Sequence, residues 1–582
     1  MSLSKPALGS GFTRFDLAVA LALLLTAGFM LSVTRRLPGV VGWFVDDGVY
    51  LVTAKALADG QGYRHLELPG EPYQTKYPIL FPLLLAGVWR SWPDFPANIP
   101  VFQVLNTALW TLGSWIAYRL MHRTWALPWW LPAIGVVLAF ANSTTLELLR
   151  TPLSEPLYLV LSSAALALTC AADPAEQRYS ARRLMALALV SGVCAAAAYL
   201  TRSVGVCLLV AVPLGWAANR RWKCAALAAL GPVLAVAGWQ GWCAYATRLN
   251  AANAACAAMS YDLAYTSFFP SLNILSRVIY HNVSDLALAM FDLFVPWWRE
   301  DDLKGMLARG FEAAWPLYVG AVATTALTLV GFVATWKRAR ASIHFYLLFY
   351  AALVLGWPFA PVRFVAAVLP LVTTLQLLGL YVFGLWLSDL MTRPVKPSPA
   401  ERWSAARSGA GLALRLVLVP AFLLGYVRLQ PLAGFGREFK PRVGVEQRER
   451  EPLVDLLCAR TPRDAVISAN GGGYLYLRTG RKFVLPLPHD DLSAVFYPAD
   501  RKFLHCGRVT TPGMLTADLA LTRARFDRYV RSTGMTFLVP IEERDTSYWA
   551  VFSQLRQAEP GRFRLVGQTP IYELYQVAQS PP

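Results

Sequence analysis

Apolar runs about as long as a bilayer's hydrocarbon core recur along this chain, and they leave few architectures open. They fall near 15–33, 99–118, 125–142, 156–172, 184–200, 203–218, 224–245, 314–335, 343–358, 364–388 and 410–428. A helix crosses a membrane with roughly 17–25 such residues, so the pattern predicts a polytopic α-helical membrane protein of about eleven spans. The first run is too long for a removable signal peptide and has no small-residue cleavage site, so it is expected to stay as a span. Only 15% of the 582 residues are charged, whereas soluble domains carry about 25%. The 20 tryptophans also suit a membrane–water boundary.

The net charge of +18 could suggest a nucleic-acid partner, but its distribution points elsewhere. Lys and Arg gather in short clusters between apolar runs: Arg119/His122/Arg123, Arg178/Arg182/Arg183, Arg220/Arg221/Lys223, Lys337/Arg338/Arg340 and Arg393/Lys396/Arg402/Arg407. These follow every second run, as orientation signals do, and predict a cytoplasmic N-terminus. An odd number of spans then places the C-terminus outside. Six of the eight cysteines lie in or beside apolar runs. Cys458 and Cys506 fall in the polar C-terminal region and stand as either a disulfide pair or two free thiols.

The chain divides into a transmembrane domain, 1–428, and a C-terminal extracytoplasmic domain, 429–582. In the latter, Ala465–Ser468, Tyr474–Leu477, Phe537–Pro540 and Ile571–Tyr575 alternate like short strands, which predicts a small α/β unit. Gly471-Gly-Gly473 lacks the spacing of a dinucleotide fingerprint and reads as a turn. Two long loops face outside, 34–98 and 246–313. The first carries Asp46-Asp47, a helix-like stretch Val49–Leu57 stopped at Gly60-Gln-Gly62, and an apolar segment Pro78–Ala86 too short to span. An amphipathic helix is expected near 272–293 in the second.

Ionised groups held beside lipid are costly and are therefore functional candidates. Asp46 and Asp47 are sequence neighbours, so on a helix their side chains diverge by about 100°. One is expected to meet a substrate and the other to orient it or cap the helix; both serving as caps is the alternative. Lys76 can snorkel, and Glu155 can complement a helix N-terminus beside Pro156. Arg202 and Arg363 are single cations on the acid pair's side, against the positive-inside bias, which favours an anionic partner. Carboxylates with cations at one membrane face suit glycosyl transfer from a polyprenyl phosphate. One carboxylate takes the acceptor's proton, and cations stabilise the departing phosphate without a general acid.

The arrangement of an N-terminal span, Asp46-Asp47 in a long loop, Ala54–Gly60, and Tyr77-Pro-Ile-Leu-Phe-Pro-Leu-Leu-Leu85 resembles the bacterial GT-C glycosyltransferases. More narrowly, it is similar to the protein O-mannosyltransferase and lipid A aminoarabinose transferase superfamily. Leu153–Leu157, Leu200–Arg202 and Arg363–Pro370 extend the likeness over most of 15–390. The resemblance implies inverting transfer in the bacterial inner membrane from a polyprenyl-monophosphate sugar to a glycan, lipid or protein acceptor. It implies Asp46 as catalytic base, with Asp47 standing where the family often has Glu. It further implies phosphate contact by Lys76, beside Tyr77, with Glu155 as a second acid and Arg202 and Arg363 near the donor phosphate. No cofactor and no metal are called for. A transporter or lipid flippase would place charge deep within spans, where this sequence has almost none. A ligase using a diphosphate-linked donor remains the alternative within enzymes.

Overall fold

The computed structural model describes residues 13–36, 41–42, 46–171, 179–251, 272–294, 311–336, 342–357, 362–392, 447–484, 519–540 and 547–578. Within them the apolar runs fold as helices: α1 (Arg14–Arg36), α4 (Ile99–Thr124), α5 (Trp130–Phe140), α7 (Glu155–Cys170), α8 (Ala181–Thr201), α9 (Val206–Ala218), α10 (Trp222–Asn250), α12 (Phe311–Trp336), α13 (Ser342–Leu355) and α15 (Leu369–Thr392). The expected run at 410–428 lies outside the described residues. Among the described residues, five helices are each long and apolar enough to cross a membrane, with α7, α9 and α13 among the shorter apolar helices. The chain is a multi-pass membrane protein.

One face of each long helix is greasy toward the outside and another packs inward. In α1, Leu17, Leu21, Leu24 and Leu25 are exposed while Val19, Leu23, Met30 and Val33 are buried. Burial of a 3.6-residue stripe with apolar residues all round is the mark of a lipid-facing helix. Small residues set the closest crossings. Gly192 of α8 lies against the Ala228 carbonyl of α10, and Gly231 of α10 returns the contact to the Gly192 carbonyl. Gly331 of α12 and Gly379 of α15 make the same reciprocal approach to Leu375 and Leu327. In lipid, such backbone proximity supplies the packing that a hydrophobic driving force cannot.

The run 125–142 departs from a single expected span. It folds as α5, and an unexpected second helix, α6 (Ser143–Arg150), leaves at 58°. The break is chemical: Asn142 is extended and its side chain accepts from the Thr144 amide at 2.9 Å, an N-cap that starts a new helix. The loop expected at 34–98 forms α2 (Asp46–Ala58), halted where Gly60 and Gly62 take positive φ, and α3 (Leu80–Ser91). The helix expected near 272–293 is α11 (Leu272–Phe294), and α14 (Val362–Ala366) is a short turn before α15.

The basic and acidic features separate along the bundle. Arg119, near the C-terminus of α4, pairs with Asp16 at the start of α1. At the other end of α4, Gln103 donates to the Arg150 carbonyl at 3.1 Å and Asn106 to the Thr151 carbonyl at 2.6 Å, just before Glu155. Arg119 and Gln103, 16 positions apart on α4, hold these two sets of contacts about 24 Å apart along its axis.

The C-terminal region is an α/β unit with α16 (Gln447–Arg460), α17 (Gly472–Thr479), α18 (Leu519–Thr533), α19 (Ser547–Ala558) and strands β1 (Val466–Ser468), β2 (Lys482–Val484), β3 (Phe537–Leu538), β4 (Phe563–Gln568) and β5 (Glu573–Val577). The sheet order is β2-β1-β3-β5-β4, parallel through β2, β1 and β3 and antiparallel thereafter. Tyr474–Leu477 is helix and not the expected strand. Gly471 at φ +72 and Gly480 at φ +70 bracket one short helix, and Arg478 reaches back one turn to the Tyr474 hydroxyl at 3.0 Å. Cys458 is an exposed free thiol, and Cys506 lies outside the described residues.

Replacing Gly379 with Val drives a branched side chain into the Leu327 backbone. The expected loss is about 1–3 kcal/mol or more, read as a lowered unfolding midpoint of the purified protein in detergent. An unchanged midpoint would refute this packing of α12 on α15.

Candidate functional site

Four separate elements bring charge to the end of the bundle opposite Arg119. Asp46 opens α2, Glu155 opens α7, Arg202 follows the last turn of α8, and Arg363 sits on α14. Arg363 joins both acids: Nη1 donates to Asp46 Oδ2 at 2.6 Å and Nε to Glu155 Oε1 at 2.5 Å. Arg202 Nη1 approaches the same Glu155 oxygen at 2.7 Å and donates to Ser154 Oγ at 3.0 Å. The Tyr77 hydroxyl donates to Asp46 Oδ1. Lys76 Nζ lies 5.3 Å from the Tyr77 ring centroid.

Burial grades this group. Glu155 is fully buried, whereas the side chains of Asp46 and Arg363 keep 25% and 23% of their surface. The Asp46–Arg363 pair is therefore partly exposed, as is Lys76. Burial works against charge on Asp46, but Arg363, then Lys76, then the Tyr77 and Arg363 hydrogen bonds hold its carboxyl below the ordinary value. Burial pushes the Lys76 ammonium down, opposed by Asp46.

Asp47 is not brought into this group. One residue along α2, it turns inward, is wholly buried, and accepts from the Gly42 amide at 2.6 Å. Its Oδ1 has no hydrogen-bond partner among the described residues. Burial lifts its carboxyl to about 6, with the Gly42 and Gly48 amides and the Arg450 charge opposing. The adjacent acids thus differ in character: Asp46 is an ion-paired carboxylate held below its ordinary value, and Asp47 is raised to about 6.

Of the residues expected from sequence, Asp46, Lys76, Tyr77, Glu155, Arg202 and Arg363 converge, and three others join them. Ser154 links Arg202 to Tyr50, whose hydroxyl is 3.2 Å from Ser154 Oγ. Tyr50 lies one helical turn beyond Asp46, so the i, i+4 rule applied to the acid would have found it. Phe364 lies 5.7 Å from the Arg202 guanidinium and was hidden inside an apolar run. No group of three or more His, Cys, Asp or Glu suited to a metal occurs among the described residues.

Comparison with protein-family models gives no match, and neither does comparison with curated protein sequences. Solved structures do match. ArnT from Cupriavidus metallidurans in the apo state superposes with a TM-score of 0.50 at 12% identity, over 96% of this chain and 98% of that one. Its form bound to undecaprenyl phosphate gives 0.50 at 13% identity, over 97% and 98%. The Archaeoglobus fulgidus oligosaccharyltransferase, in complex with Zn and sulfate, gives 0.52 at 12% identity over 91% of this chain and 69% of that one.

The Asp47 carboxyl stands above its ordinary 3.8 in the folded chain, so folding favours its neutral form. That contribution is complete below 3.8 and is lost as pH rises through about 6. Relative to Asp47→Asn, the wild type is expected to lose on the order of 2 kcal/mol of stability across that interval, measured by unfolding at stepped pH. Parallel pH profiles for the two proteins would contradict it. In its architecture, the chain has the GT-C fold of these membrane enzymes.

Proposed function

We propose that this protein is an integral membrane glycosyltransferase that moves a sugar, with inversion, from a polyprenyl-phosphate donor to an extracytoplasmic acceptor. The observation that carries this reading is Arg363, a partly exposed cation shared by Asp46 and Glu155 at one end of an apolar bundle. The fold it shares with ArnT, whose structure holds undecaprenyl phosphate, supports the donor class. The N-terminus is assigned to the cytoplasm and the charged end to the outer face of a bacterial inner membrane. Support comes from the separation between the Arg119 end and the Asp46 end of the bundle.

The chemistry follows from the charges. Asp46 and Glu155 are negative while Lys76, Arg202 and Arg363 are positive, so the group has a cation in excess. A lipid monophosphate arriving at this end meets donors suited to its oxygens, the Arg forks above all. The acceptor hydroxyl attacks the anomeric carbon and passes its proton to Asp46. The bond to the phosphate oxygen breaks on the opposite face, and its electron pair remains on the phosphate. Arg and Lys stabilise that growing charge, so no acid is needed on the leaving group.

Arg363 couples binding to basicity. In the free protein its guanidinium depresses the proton affinity of Asp46. A donor phosphate competes for the same guanidinium, and as it draws Arg363 away the Asp46 carboxylate becomes a stronger base. Proton abstraction is thereby favoured once donor is present.

Asp46→Asn is expected to remove at least about 10²–10⁴-fold of kcat while insertion and abundance stay intact, measured with purified protein in lipid against a panel of polyprenyl-phosphate sugars. Full activity in that variant would eliminate Asp46 as the base. Arg363→Ala is expected to lower donor kcat/KM by about 10²-fold or more. Unchanged donor kcat and KM would remove the phosphate role of Arg363.

A further inference from the structure

The C-terminal domain meets the bundle directly over the first turn of α2, and at Gly48 and Gly473 the contact is backbone on backbone. A Cβ on Gly473 would stand 2.6 Å from the Gly48 carbonyl carbon, and a Cβ on Gly48 would stand 3.4 Å from the Gly473 Cα. Gly42, at φ +86, is covered by the Tyr474 side chain. A Cβ on Gly471, at φ +72, would lie 3.0 Å from the Gly42 carbonyl oxygen. Arg450 enters the same contact from α16. It is buried, its Nη1 donates to the Val41 carbonyl at 3.5 Å, and its guanidinium lies 6.0 Å from the Tyr474 ring centroid.

These contacts close on Asp47. The Gly42 amide that donates to its Oδ2 belongs to the very turn that Tyr474, Gly471 and Arg450 cover. Two more ties hold the rest of the loop: the Phe483 amide donates to the Glu67 carbonyl at 2.7 Å, and Lys482 Nζ to the Leu66 carbonyl and the Glu71 carboxylate, each at 2.6 Å. Asp46 precedes Asp47 on the same turn of α2, so whatever fixes the rotation of that turn fixes the direction of Asp46. A domain that only hung from the bundle would require neither glycine facing glycine nor a buried arginine at the contact.

We infer that the C-terminal domain is a working part of the transferase centre, with Arg450 and Gly471–Tyr474 as positioning residues that lock the first turn of α2 and aim Asp46 at the acceptor. This rests on the reading of Asp46 as base. The residues act through α2 and do not touch the reacting atoms. Their loss therefore slows the chemical step and leaves donor capture by Lys76, Arg202 and Arg363 in place.

The test uses the full-length protein in lipid nanodiscs, as wild type, Arg450→Gln, Arg450→Lys and Gly473→Val, with Arg523→Gln in exposed α18 as a distal control. Transfer is assayed with a polyprenyl-phosphate sugar, and amide hydrogen exchange is followed across Asp46–Ala58. Arg450→Gln and Gly473→Val are expected to lose about 10²-fold in kcat, the cost of misplacing a base by about an ångström, with donor KM within about twofold. Exchange in α2 should quicken in both, Arg450→Lys should recover most of kcat, and Arg523→Gln should match the wild type. Wild-type kcat in both Arg450→Gln and Gly473→Val, or unchanged exchange in α2, would overturn the inference. A rise confined to donor KM would overturn it too, by making these residues part of donor binding. A wild type inactive with every donor, whose α2 still loosens in the variants, would sink the transferase reading alone and leave the clamp standing.

Discussion

The guanidinium of Arg363 is the interaction on which the charged end of this bundle depends. Carboxylates withdrawn from water need partners, because an unpaired buried charge costs several kcal/mol even after relaxation. Asp46 and Glu155 come from elements 317 and 208 residues before Arg363, yet both close on its one fork. Arg202 and Ser154 complete the Glu155 side, and Tyr77 completes the Asp46 side. Glu155 Oε2 finds no hydrogen-bond partner among the described residues. The network thus draws α2, α7, α8 and α14 to one point, and none of the four can shift without stranding a charge.

Adjacent acids acquire separate tasks through geometry alone. Successive helical residues diverge by about 100°, which turns Asp46 to the cations and Asp47 into the interior. Asp46 keeps part of its surface and stays ionised, while Asp47 holds the turn before it. Environment gives two chemically identical groups different partners and different proton affinities.

Much of this was legible in the sequence. Bilayer-length apolar runs announce helices, and the loop position of Asp46-Asp47, with Lys76, Glu155, Arg202 and Arg363 at run ends, announced the charged end. What escaped was set by contacts between distant segments. The kink at Asn142 rests on a single cap that an apolar run obscures. Tyr474–Leu477 alternates like a strand, but the glycines around it and the bundle beneath it favour a short helix. Ser154 and Tyr50 are ordinary in sequence and matter only because a guanidinium folds back on them. Gly48 directly follows the acid pair, and its use becomes visible only when Gly473 is seen against it.

The side-chain amides of Gln103 and Asn106 hold the carbonyls of Leu148, Arg150 and Thr151, the stretch that leads into Ser154 and Glu155. Those carbonyls would otherwise hang open at the end of α6. Helix α4 therefore acts as a lever whose far arm is pinned through Arg119 and whose near arm carries the entry to α7. Any tilt of α4 against α1 therefore carries the entry to α7, and Glu155 with it, along the bundle.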